Sequence, residues 1–272
     1  RGGHSGADIH LGRGSGNRLM GRVLATALEK FPGLRLAAIS GGQFDNVICS
    51  RCDAVVALPT GSGAAFTAFI REFDAALKNE YAVTDPDVTL TCAAAETAKA
   101  VSAERTVTLV QALTAMPQGV EAMDTDFPGL VQTSLNMGVV KLDGDGLHIA
   151  FSIRSSIASR KLMLAQRVRA VAALAGGTVA ERGVYPGWQY KRESQFRDTL
   201  LAAYKDLTGK DGVVEATHGG LECGLLMEKI PGLDAVSMGP ELHDVHSVRE
   251  RLSVPSTERT YELVCELLRR SC

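Results

Sequence analysis

The chain has 272 residues, 45% hydrophobic and 22% charged, enough for one large domain or two modest ones. Its 29 Lys and Arg nearly balance 31 Asp and Glu, and no basic stripe is interleaved with aromatics, which argues against a nucleic-acid partner. No apolar run reaches the roughly 18 residues that span a bilayer, and the scattered cysteines fit a reducing cytoplasm.

In chain order, Asn17 to Lys30 carries Leu19, Met20, Val23, Leu24, Ala27 and Leu28 at helical spacing, and Gly33 punctuates its end. Leu34 to Ile39 reads as a strand, Gly41-Gly42 as a turn, and Val47 to Leu58 as an extended run. Cys49-Ser50-Arg51-Cys52 lies inside that run. It could be a redox pair or half a zinc site, but no second such pair exists, and strand is the plainer reading. Ala64 to Glu80 puts Phe66, Phe69, Ile70, Phe73 and Leu77 on one helical face. Val88 to Ala94 alternates like a strand, and Ala103 to Ala115 is helical. Val131 to Val140 and Leu147 to Ile153 flank Asp143-Gly144-Asp145-Gly146, a hairpin signal. Ser156 to Ala175 is a helix, stopped by Gly176-Gly177, and Thr178 to Val184 a strand.

The order of elements changes at Tyr185-Pro186-Gly187-Trp188. Before it the pattern is an α+β sheet with helices on one face. After it come helix (Gln195–Leu207), strand (Gly212–Ala216), helix (Leu221–Glu228), strand (Asp234–Met238) and helix (Pro255–Arg270). That alternation is part of a three-layer α/β domain. Two short strands are too few for a core of their own, so the other strands are expected from elsewhere.

Several residues could carry chemistry. His246, before Ser247, is placed in a loop beyond a strand end, where ligands bind in open α/β sheets. It is a candidate metal ligand or a surface-loop histidine; His243 need not share a metal with it. His4, between glycines, would let a substrate approach the backbone. Arg154 ends a strand pattern and could grip a carboxylate, or be solvated on a sheet rim. Asn46 is a turn residue or an amide aimed at a ligand. His218 precedes a helix whose first N–H groups could hold an anion. His10 and His148 read as structural.

Taken together, Gly2-Gly3-His4-Ser5-Gly6 with Asp8-Ile9-His10, Asn17, Gly41-Gly42 with Asn46, and Thr133 to Val140 form the first half of a recognisable series. Ile153-Arg154-Ser155, Tyr185 to Trp188, Gly219 to Gly224, and Ser237-Met238-Gly239-Pro240 with His246-Ser247 complete it. In order and spacing this series resembles the cytosolic aminoacyl-histidine (Xaa-His) dipeptidases. These are di-zinc metallopeptidases grouped with carnosinases, carboxypeptidase G and succinyl-diaminopimelate desuccinylases.

The resemblance implies a lid (dimerisation) domain over residues 1–187 and the C-terminal segment of a catalytic α/β zinc-peptidase domain over 188–272. It implies two zinc ions per active site, a dipeptide substrate, a homodimer formed through the lid, and a cytoplasmic protein. His4 matches the lid histidine that bonds the oxyanion. Asn46 and Arg154 match lid residues that grip the substrate, Gly220 a glycine lining its site, and His246 the last metal ligand. The family's other ligands, from an H-x-D motif and later carboxylates, and its Glu general base match nothing in the chain. The N-terminal catalytic segment is therefore expected upstream, and this chain alone is expected to be inactive. Val245 and Val248 stand where related sequences often carry Pro. Two other functions fit the same motifs: a non-catalytic module derived from the lid, and a related amidohydrolase such as a deacylase.

Overall fold

The computed structural model describes residues 1–96, 99–144, 146–245 and 248–271. They form two compact units, Arg1–Val184 and Tyr185–Cys272. Among the described residues no helix is long and apolar enough to cross a membrane.

The first unit opens with β1 (Gly3–His4), a 3-10 turn (Ile9–Leu11) and helix α1 (Gly16–Lys30). Strands β2 (Arg35–Gly41), β3 (Val47–Ile48) and β4 (Cys52–Ala57) follow, then α2 (Gly63–Glu80) and α3 (Ala103–Ala115). β5 (Gly119–Met123), β6 (Val131–Asp143), β7 (Gly146–Ser155) and α4 (Ala158–Leu174) complete it. β2, β4, β5, β6 and β7 form one antiparallel sheet, and β1 pairs separately with β3. β6 is its spine. β7 runs along one edge of β6, while β5 and β2 share the other.

Side chains alternate across a strand, so Leu135 and Met137 of β6 share a face with Phe151 and Ile153 of β7. Onto that face α4 lays Leu164 and Val168. α1 and α3 pack Leu24, Val110 and Leu113 against Leu36, Ile39, Met137 and Val140. A second cluster joins α1 to α2 through Val23, Ala27, Phe69 and Ile70, with the Phe31, Phe66, Phe69 and Phe73 rings meeting tilted or edge to face. The opposite face of β6 and β7 carries Ser134, Asn136, Ser152 and Arg154, in the register Ser134↔Arg154 and Asn136↔Ser152.

The helices and the hairpin form where the pattern places them. The extended run from Val47 is broken at Cys49–Arg51. There the Cys49 carbonyl accepts from Gly16 N at 2.7 Å, and its thiol donates to Arg51 O at 3.0 Å. The run therefore supplies two strands, one paired with β1 and one with β2. Burial raises the Cys49 thiol pKa and pushes that of Cys52 up to about 12, so both remain protonated at neutral pH and are poor redox nucleophiles. Val88 to Ala94 is not a strand. Its alternation is satisfied by helix α2: Leu90 packs on the phenylalanine cluster, and its N–H donates to Asp74 Oδ1 at 2.7 Å. Thr178 to Val184 is exposed and joins no sheet among the described residues, although Glu181 pairs with Arg169. β5 is not legible in the sequence, because Gly119, Val120 and Glu121 show no clean alternation.

The second unit contains α5 (Gln195–Thr208), α6 (Glu222–Lys229), the short pair β8 (Leu242–His243) and β9 (Arg251–Leu252), and α7 (Val254–Ser271). α5 and α7 meet through Leu200, Ala203 and Leu267, with Val236 against them. Ser194 caps α5, accepting from Arg197 N at 3.1 Å while donating to Asp234 Oδ1 at 2.8 Å. Gly212 to Ala216 and Asp234 to Met238 form no strands, because no described segment offers them a ladder.

Gly138 is a β-bulge: the register slips between Met137↔Phe151 and Val139↔Ala150. A Cβ there would lie 2.5 Å from Asp45 Cα, so the backbone of Phe44 and Asp45 rests directly on it. Gly138→Ala should therefore lower stability by about 1–3 kcal/mol, as overpacking does. Urea denaturation checks this, and an unchanged midpoint would mean that the loop does not lie on β6.

Candidate functional site

Three of the five site residues proposed from sequence converge on the face of the β6–β7 hairpin opposite helix α4. β1 pairs with β3 in the register His4↔Val47, which brings the His4 segment beside the turn that holds Asn46. Ser5, buried at 1% exposure, joins them: its N–H donates to the Asn46 carbonyl at 2.9 Å, and its Oγ accepts from Arg154 Nε at 3.4 Å. His4, Asn46 and Arg154, from β1, the β2–β3 connection and β7, are thus gathered around one small hydroxyl residue. Ser5 belongs to the sequence motif, but its place in the motif assigns it no role.

The His4 backbone is fixed. Its N–H donates to Asp8 Oδ2 at 2.8 Å, and its carbonyl accepts from Asp8 N at 2.8 Å. Arg13 braces Asp8 at 3.6 Å and donates to Gly2 O at 2.6 Å. A Cβ on Gly3 would meet Arg13 and Asp8 at 2.6 and 2.7 Å, which explains a glycine before the histidine. The ring is fixed too: Nδ1 accepts from Gly6 N and Ala7 N, both at 3.3 Å. A neutral imidazole whose Nδ1 accepts carries its proton on Nε2. His4 is exposed, so it offers a hydrogen-bond donor to whatever approaches.

Arg154 is half-buried at the end of β7. Burial pulls its guanidinium pKa below the usual value, and the negative charge of Asp45 opposes that pull. The side chain stays cationic. A partly desolvated guanidinium attracts a carboxylate more strongly than a fully solvated one. Asn46 is exposed beside it.

The other two candidates belong to the second unit. Gly220 lies under the Tyr185 ring, with Tyr185 Cγ 3.3 Å from where a Cβ would stand, and a Cβ on Gly224 would approach Trp188 Cβ at 3.3 Å. The Tyr185–Trp188 and Gly219–Gly224 motifs therefore pack on one another, which alone gives Gly220 a structural reason. His246 lies outside the described residues. The loop that contains it is tied at its base by the β8–β9 pair and by Ser253 N to Glu241 O at 3.0 Å, with Glu241 N on Ser256 Oγ at 2.9 Å. Asp244 in that loop has φ 52°, uncommon for a non-glycine residue, and pairs with Arg251 at 3.3 Å. The loop thus follows β8 and not a strand at Asp234–Met238. His218 is a buried side chain, 9% exposed. Among the described residues no three His, Cys, Asp or Glu side chains stand together as a metal site.

Residues 1–85 match the family model of the peptidase dimerisation domain. The chain is 33% identical over 270 residues to the cytosol non-specific dipeptidase of Escherichia coli (strain K12), an alignment covering 99% of this chain and 56% of that protein. It matches the crystal structure of the aminoacylhistidine dipeptidase from Vibrio alginolyticus with a TM-score of 0.92 and 32% identity, over 99% of this chain and 55% of that one. The mixed α/β fold is that of this peptidase structure, with a dimerisation domain at its start. The chain spans about half the length of the relatives it matches.

Proposed function

We propose that this chain is the lid and the C-terminal catalytic segment of a longer, cytoplasmic, metal-dependent dipeptidase that prefers Xaa-His substrates. In this reading the lid is residues 1–187 and the catalytic segment 188–272. The observation that carries it is the convergence of His4, Asn46 and Arg154 around Ser5, in a chain aligned along 99% of its length with two dipeptidases. The names of both relatives support dipeptides as substrates, the Vibrio name supports the Xaa-His preference and the Escherichia name, that of a non-specific dipeptidase, supports the cytosol. The dimerisation domain supports a homodimer through the lid.

Each side chain has a task. Arg154 holds the free carboxylate of the dipeptide through two parallel hydrogen bonds. Asn46 bonds the substrate backbone. His4 donates Nε2–H to the oxygen that becomes negative as the scissile carbonyl is attacked. Gly220 takes its place as a lining residue of the substrate site from the resemblance alone. The two zinc ions implied by the resemblance find no donor set among the described residues, so the proposal places them on His246 together with ligands outside this chain. They would supply an activated water. The steps assigned to this chain are those of its own side chains.

Arg154→Lys tests the reading. An ammonium cannot reproduce the guanidinium fork, so kcat/KM for a Xaa-His dipeptide should fall roughly 10- to 100-fold, the scale of one hydrogen bond to a charged group. A C-terminally amidated analogue, poorly cleaved by the parent, should be affected much less. An equal loss on both substrates would mean that Arg154 supports the fold and does not read the carboxylate. A panel that adds N-acylated amino acids separates a dipeptidase from a deacylase.

A further inference from the structure

Asn46 sits in a connection with no regular structure between β2 and β3, yet a substrate-gripping amide must be held to a fraction of an ångström. We propose that Asn136, braced by Gln118, is the positioning residue that fixes Asn46. The role in substrate binding rests on the function proposed above; the clamp itself rests on the hydrogen bonds alone.

Asn136 lies in the middle of β6 with 0% exposure. Its amide nitrogen donates to Asp45 O at 2.6 Å and to Val47 O at 2.8 Å, the carbonyls on either side of Asn46. Both amide protons are thereby used. The amide oxygen accepts from Gln118 Nε2 at 3.4 Å, and Gln118 Oε1 accepts in turn from the Met137 backbone N–H. This arrangement has one sense. Turning the Asn136 amide over would point its oxygen at two carbonyls and its NH2 at the Gln118 donor.

The third hold on the turn comes from Ser5 N to Asn46 O at 2.9 Å, and Ser5 Oγ carries Arg154 Nε at 3.4 Å. Asn136 therefore acts on the residue that touches substrate and, through Ser5, on its neighbour Arg154. The far end of the same connection is pinned separately. Asn17, also 0% exposed, donates to Met137 O at 3.0 Å and Gly138 O at 3.2 Å, and reaches Gly41 O at 3.4 Å. A connection held at both ends by buried amides presents Asn46 as a fixed group. Asparagine is depleted in strand interiors, and packing of β6 alone gives no reason for one here.

The test is amide hydrogen exchange and steady-state kinetics on the full-length protein, comparing the parent with Asn136→Ala and Gln118→Glu. The Gln118→Glu variant keeps an acceptor for Met137 N but loses the donor to Asn136. If Asn136→Ala does not fold, Gln118→Glu decides. Exchange at residues 43–47 should quicken by about tenfold or more, the scale of one lost hydrogen bond, while β7 amides keep their protection. kcat/KM for a Xaa-His dipeptide should fall through KM, with kcat little changed. Lowering the pH should restore part of the Gln118→Glu loss, because the introduced carboxyl group, once protonated, can donate again. Unchanged exchange at 43–47, or exchange raised equally throughout β6 and β7, would overturn the clamp. If the parent cleaves no dipeptide, the functional reading fails and the exchange result still decides the clamp.

Discussion

His4→Ala in the full-length protein should lower kcat by about 10²–10³-fold, the range for loss of one oxyanion donor, and change KM much less. The motivation is the ring's geometry. Gly6 N and Ala7 N, both 3.3 Å from Nδ1, make that nitrogen the acceptor and leave Nε2 as the donor of the neutral ring. A donor that meets charge only as the carbonyl is attacked acts on the transition state and not on the ground state. Metal content, measured by elemental analysis, should stay at the parent value. If the lid pairs two copies, His4 can serve the partner's site, and mixing His4→Ala with inactive His246→Ala subunits should restore part of the activity in heterodimers. Full activity in His4→Ala would remove the role.

His246→Ala should be more severe, cutting turnover by orders of magnitude and lowering bound metal by one ion per site. Removing a ligand takes away coordination that neighbouring water cannot restore with the same geometry. The residue stands in the loop tied by the β8–β9 pair and by the Asp244–Arg251 ion pair at 3.3 Å. These hold the ends of the loop independently of the imidazole, so the fold should survive. Unchanged metal stoichiometry and turnover would place the ligand elsewhere.

What could be read from sequence divides along a physical line. Periodicity exposed α1, α2, α3 and the β6–β7 hairpin, because each buries one face and the pattern of burial is written in consecutive residues. It misread Val88 to Ala94 for the same reason. Leu90 is an apolar residue with a buried partner, but that partner is the Phe69 cluster of a helix and not a sheet. Gly212 to Ala216 and Asp234 to Met238 form no strands among the described residues, since a strand exists only with a ladder partner and pairing is not a local property. At the site, His4, Asn46 and Arg154 could be singled out one by one. That Ser5 joins them, and that Asn136 straddles Asn46, follows from pairings across 41 to 149 positions of chain, which no spacing rule reports. The available signal for Asn136 was an asparagine in the middle of a strand run, beside Thr133 and Ser134, a residue type depleted in strand interiors.

The central claim is that the protein to which this chain belongs is a metal-dependent dipeptidase that uses His4, Asn46 and Arg154 on the substrate side. The most direct measurement is release of free histidine from a Xaa-His dipeptide by the purified full-length protein. It is followed before chelation, after chelation, and after Zn2+ is returned. Release that is lost on chelation and restored by zinc is the predicted result, with this chain alone inactive. No release by the full-length protein under any of the three conditions, or release indifferent to chelation, would contradict it.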